Sequence, residues 1–91
     1  MIDIDYSTLE ADVESGTLRQ RLEEELTDGF RVIHASGERL PPASYYASQI
    51  AEIVTRGATE PFTADLAFNL YQEILLAVER ARAAVLGEEP Q

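Results

Sequence analysis

Cysteine is absent from this chain, which removes disulfides, thiolate metal sites and cysteine nucleophiles together. Lysine is absent too. All seven cations are arginine, beside twelve alanines, a bias that points to a GC-rich prokaryotic or phage genome. There is one histidine, His34, and no Glu-x-x-His pair of the kind that builds di-iron bundles. No basic, apolar leader opens the sequence, so a cytoplasmic location is expected. Long apolar runs are missing as well. The most apolar stretch, Leu66 to Leu86, is interrupted by Asn69, Gln72, Glu73, Glu79, Arg80 and Arg82, which argues against a transmembrane span. No glycine-rich phosphate loop occurs, and Ser36 lies only two residues from His34, a spacing that does not make a nucleophile and its base. Seventeen acids always offer carboxylate pairs, but nothing singles out one. No catalytic residue, metal or cofactor is therefore expected, and the chain reads as non-enzymatic.

What is present is enough for one domain. Ninety-one residues, 45% of them apolar, can bury a core without covalent staples. A single helical domain is expected over residues 1–87, followed by a polar, disordered tail over 88–91. The net charge is -10 and unevenly placed. Residues 1–28 hold nine acids and two arginines, for -7; residues 29–91 hold eight acids and five arginines, for -3. That field repels nucleic-acid phosphates and anionic lipid heads, so direct binding of either is disfavoured and a basic protein surface is the favoured partner.

The opening residues MIDIDYSTLEADVE admit two readings. Asp3, Asp5, Ser7 and Glu14 stand at positions 1, 3, 5 and 12 of a calcium loop. Position 6, which needs glycine for its turn, is Thr8, and with only two residues before Asp3 no entering helix is expected. The competing reading takes Ser7-Thr8-Leu9-Glu10 as a capping box, its acids surface charge rather than ligands. It is the reading adopted.

Four helices are predicted. The first starts at Ser7 and presents Leu9 and Val13; a second capping box, Thr17-Leu18-Arg19-Gln20, opens another with Leu18, Leu22 and Leu26 inward, stopped at Asp28-Gly29. Leu9 and Leu18 are nine residues apart and point to opposite faces of a continuous helix, so Gly16 divides two short ones. Phe30, Val32 and His34 alternate with Arg31 and Ile33, as Ile2, Ile4 and Tyr6 alternate with Asp3 and Asp5. Period two predicts a minor two-stranded ribbon of MIDID on FRVIH. Pro41 and Pro42 suit the start of a third helix ending near Arg56 before Gly57, with Tyr46, Ile50, Ile53 and Val54 on its stripe. A fourth ends near Leu86 before Gly87, its seam Ala67, Tyr71, Ile74, Val78, Ala81 and Val85 in a 4,3,4,3,4 rhythm. Helices 3 and 4 should form an antiparallel hairpin, and the class is mainly α.

An acidic four-helix chain of this size resembles an acyl carrier in outline. That family attaches its arm at a serine in an Asp-Ser-Leu context, and no Asp-Ser occurs here; Ala35-Ser36-Gly37 and Ala43-Ser44-Tyr45 come nearest. The resemblance stops at size and charge.

The expected role is a small acidic interaction module: an adaptor, accessory subunit or inhibitor. Glu10, Asp12, Glu14, Glu23, Glu24, Glu25 and the outward Tyr45 form its expected partner surface. The fourth helix, longer than the third can cover, is expected to self-associate through Tyr71, Ile74, Leu75, Val78, Ala81, Arg82 and Val85. Two alternatives stand beside this reading: a nucleic-acid-mimicking inhibitor of phage or mobile-element type, and a structural subunit of a larger homo-oligomer.

Overall fold

Turn chemistry sets the start of the chain. In the computed structural model, which describes residues 4–87, the Asp5 carboxylate accepts from both the Ser7 amide (3.0 Å) and the Ser7 hydroxyl (2.6 Å). This Asx turn delivers the chain into α1 (Leu9–Ser15). The cap is Thr8, not Ser7, and its hydroxyl donates to Asp12 Oδ2 at 3.0 Å instead of accepting from the backbone. Neither predicted capping box forms. At the second, Gly16 occupies the cap position and Thr17 already lies inside α2 (Thr17–Ala35).

Gly16 takes a left-handed φ of 81°, closing α1 and opening α2 in one residue. The predicted division of the N-terminal helices is thus present, with a one-residue joint.

The FRVIH segment is helical, not extended. Gly29 sits in the interior of α2 without a positive φ, and the helix runs on through Phe30 and Ile33 to Ala35. Phe30 is buried and Ile33 half-buried, continuing the stripe of Leu18, Leu22 and Leu26; Val32 is exposed. A period of 3.6 outweighs a five-residue alternation because burying Phe30 while keeping every helical hydrogen bond is cheaper than opening a lone strand. The predicted ribbon is therefore corrected. No strand occurs among the described residues, and residues 1–3 of its other half lie outside them.

The true stop is Gly37, φ 86°. Its amide donates to His34 O (3.1 Å) and the Glu38 amide to Ile33 O (3.3 Å), the paired bonds of a Schellman motif. α3 (Ala43–Gly57) follows Pro42, and α4 (Ala64–Leu86) is capped by Thr63 Oγ1 accepting from the Leu66 amide at 3.1 Å and ended by Gly87, φ 76°.

Long-range contacts give the path. Leu9 and Leu66 line one cleft, Arg19 meets Glu73, and His34 and Leu86 line another, so α1 and α2 advance beside α4 in the same direction. Arg82 reaches the Pro41 and Leu40 carbonyls before α3, while α3 turns directly into α4; these two are antiparallel, as predicted. The result is an up-down-up bundle of three legs, the first jointed at Gly16. Its long dimension is 40 Å, close to the ~35 Å of a leg of α4's length at 1.5 Å per residue.

α4 is the centre. Ile74, Ala77, Val78 and Ala81 are fully enclosed, with Leu22 of α2 and Ala47 of α3 against them. Alanines at 47, 77 and 81 let the backbones approach closely, so α4 has little surface left on this face. The α3 stripe differs from expectation. Ala47 and Val54, seven residues apart, are buried; Ile50 and Tyr46 flank them; Ile53 turns ~120° from Ala47 and is 65% exposed. On α4, Leu70 belongs to the core and Ala67 is exposed. No helix of the described residues is long and apolar enough to cross a membrane.

Candidate interaction surface

Glu10 and Glu14, one turn apart on α1, are both exposed, and Asp12 on another side is half-buried under its bond to Thr8. Glu23, Glu24 and Glu25 do not form one patch. Consecutive helical residues step by 100°, so the three fan over ~200° of α2. Glu23 is half-buried, and Glu24 and Glu25 are exposed. Of the acids from Asp5 to Asp28, only Asp28 has an ion pair among the described residues, with Arg31 at 3.7 Å, and both side chains are largely in solvent. Such a pair contributes little. Of the two arginines in that span, Arg19 turns inward to Glu73 of α4 at 3.5 Å, while Arg21 is exposed and, after the Ser7 hydrogen bonds, helps to lower the Asp5 pKa. The N-terminal half thus presents negative charge that its arginines offset only in part.

Asp5 has its carboxyl held below the usual carboxylate range, first by the Ser7 hydroxyl bond and then by the Ser7 amide. That bonding completes a local turn. Among the described residues no group of three metal-ligating side chains occurs. Asp3 lies outside the described residues.

Tyr45 is 54% exposed, as expected, with its ring edge-on to Tyr46 (centroids 6.1 Å apart). Tyr46 packs on Phe30 of α2 at 4.8 Å; burial raises its hydroxyl pKa, with Tyr45 and Glu38 adding to the effect.

The expected self-association set divides. Ile74, Val78 and Ala81 are 0% exposed within the single chain, so a second copy cannot reach them without opening the bundle. Arg82 donates from Nε to Pro41 O at 3.0 Å and holds the α2–α3 connection in place. Tyr71, Leu75 and Val85 are half-buried flanks of the same core. The length of α4 is covered by the jointed α1–α2 leg on one side and α3 on the other, which is why its apolar stripe is wide.

Sequence reasoning missed a cleft at the end of the bundle where α1 and α4 begin. Tyr6, Ser7, Leu9 and Glu10 face residues 58–63 and Leu66 across about 310 Å³. The Tyr6 hydroxyl donates to Val54 O at 2.7 Å, fixing that ring as one wall. Phe62 and Leu66 are half-buried within it. The available signal was Pro61-Phe62 immediately before Thr63: an apolar residue at the position preceding a helix cap packs back on what lies beside it.

What the geometry defines is an all-α, three-legged bundle with an acidic N-terminal leg. The chain matches no protein-family model, no curated protein and no solved structure.

Proposed function

We propose that this chain is a small, non-enzymatic protein-interaction module that docks a basic partner surface through its acidic N-terminal half, acting as an adaptor, accessory subunit or inhibitor. The observation that carries the reading is the largely exposed and almost unpaired acid set of α1 and α2, which outnumbers the arginines beside it, Arg19 being turned inward to Glu73. Uncompensated charge of one sign costs a fold stability through self-repulsion, and a cationic partner relieves it while gaining on-rate and orientation.

The test is capture of the partner, followed by its affinity measured against salt. Binding should weaken steeply between 0.05 and 0.5 M salt, on the order of tenfold or more, and weaken again in a Glu23→Gln, Glu24→Gln, Glu25→Gln variant. An affinity indifferent to both salt and neutralisation overturns the reading. Competition by duplex nucleic acid for the same partner surface selects the mimic form of the proposal. A salt-insensitive oligomer by light scattering selects the structural-subunit form, with Phe68 and Ile53, 63% and 65% exposed, as its anchors in place of the enclosed seam.

A further inference from the structure

The cleft between the N-terminal turn and the α3–α4 connection sets a few apolar side chains within a polar lining whose charged members are both acids. Leu9, at 3% exposed, forms its base; Tyr6, Phe62 and Leu66 form its sides; Ser7, Glu10, Thr59, Glu60 and Thr63 form its rim. A volume near 310 Å³ falls at the small end of ligand pockets, large enough for one or two side chains rather than a cofactor. Residues 4–14 and 58–66, which build this end, contain Asp5, Glu10, Asp12, Glu14, Glu60 and Asp65 and no arginine. None of these six acids has an ion pair among the described residues. The N-termini of α1 and α4, at roughly half a unit each, and Arg21 of α2, which acts on Asp5, offset only part of this charge.

From this geometry we infer that the cleft receives an extended segment of a partner protein in which an apolar side chain is flanked by arginine or lysine. The apolar group enters against Leu9, Phe62 and Leu66, and the flanking cations meet Glu10 and Glu60. The wall is preorganised, because the Tyr6 hydroxyl bond to Val54 O already fixes the ring, so little ordering cost falls on the module when it binds. The inference rests on the acidic-module reading above and assigns it an address. At the opposite end of the bundle, a pocket is lined among the described residues by His34, Arg39 and Arg82, with Glu38 the one acid of that lining. A second copy presenting Arg39 is therefore the competing occupant.

The test is an amide chemical-shift titration of the intact chain with a short amidated peptide of alternating arginine and leucine, and with its glutamate-for-arginine counterpart. Shifts concentrated at residues 6–10 and 58–66 with the cationic peptide alone are expected. A Glu10→Gln, Glu60→Gln variant should lose affinity at least about tenfold, whereas neutralising Glu23, Glu24 and Glu25 should leave it nearly unchanged. Glu10, Glu60, Glu24 and Glu25 are exposed, and Glu23 is half-buried without an ion pair among the described residues, so neither variant threatens the fold. Shifts spread along α2 with loss only in the 23–25 variant overturn the cleft while sparing the acidic-module reading. No binding of the cationic peptide overturns the cleft, and salt-insensitive capture of the partner then removes the broader reading as well. Shifts at the cleft that appear on concentrating the chain alone, without peptide, overturn the proposal in favour of a second copy.

Discussion

At the scale of single residues, Gly57 carries a role that helix rules alone would not give it. It ends α3, where alanine is ordinarily the better helix former, yet a Cβ there would collide with the Tyr6 hydroxyl. Gly57→Ala should therefore cost about 1 kcal/mol, the worth of the displaced Tyr6–Val54 hydrogen bond offset in part by helix propensity. In a Tyr6→Ala background the same substitution should turn stabilising by about 0.5 kcal/mol. Denaturant melts of the four chains measure this, and an unchanged sign in both backgrounds refutes the contact. Tyr46 is a second such residue. Its hydroxyl pKa is raised chiefly by burial, so the fold holds that proton more tightly than the unfolded chain does. The sign follows: this contribution is complete below the unfolded pKa of about 10 and is lost as pH rises through the folded value. Between pH 9 and 11 the native chain should lose melting temperature faster than Tyr46→Phe, which has no proton to release.

At the scale of elements, the two glycines of the jointed leg are opposites. Gly29 lies in the helical interior of α2 with open space around its Cβ position, and φ there is not positive. Gly29→Ala should stabilise by about 0.5–1 kcal/mol, raising the midpoint by roughly 2–8 °C. Gly16 has φ 81°, and a Cβ there would lie 2.7 Å from the Arg19 guanidinium, so Gly16→Ala should destabilise by about 1–2 kcal/mol. Thermal melts of the pair decide it; equal effects would mean that the joint at Gly16 is not needed. These glycines also show what the sequence made legible. Pro41-Pro42 with Gly57, and Gly87 after the 4,3,4,3,4 seam, marked α3 and α4 correctly because chain punctuation and apolar period agreed there. At Asp28-Gly29 they disagreed. Punctuation suggested a stop, and the Leu22–Leu26–Phe30–Ile33 stripe suggested continuation; burial of Phe30 decided for the helix. Glu10 and Tyr45 were legible as exposed positions from helical phase. Glu60 was not, and Phe62 only through its place before the Thr63 cap, because their cleft is made by a tertiary approach of residues about fifty apart, which no local period encodes.

At the scale of the whole molecule, the balance of forces is apolar packing against charge repulsion. The enclosed side chains of Leu22, Leu70, Ile74 and Val78 hold three legs together, each contributing roughly 1.5–3 kcal/mol by burial. Ion pairing adds little. Arg56–Glu52 and Arg31–Asp28 are exposed neighbours on their own helices, and among the described residues only Arg19–Glu73 joins two elements. Against this stands a net charge of -10 in a body 40 Å long, so that at low salt, with a Debye length of about 30 Å, the acids repel one another across most of the molecule. The two effects respond oppositely to salt. A fold held by surface ion pairs weakens as salt screens them, whereas one strained by like charge strengthens. Raising sodium chloride from about 0.01 to 0.5 M shortens the Debye length from ~30 Å to under 8 Å, which removes most long-range repulsion and leaves the apolar core untouched. The melting temperature of the native chain should rise by several degrees over that range. In a variant with Glu23, Glu24 and Glu25 changed to Gln, the starting value should be higher and the rise smaller, since three of the repelling charges are gone. A melting temperature that falls with salt would show that the three ion pairs outweigh the repulsion, and that the acidic leg is already compensated within the chain.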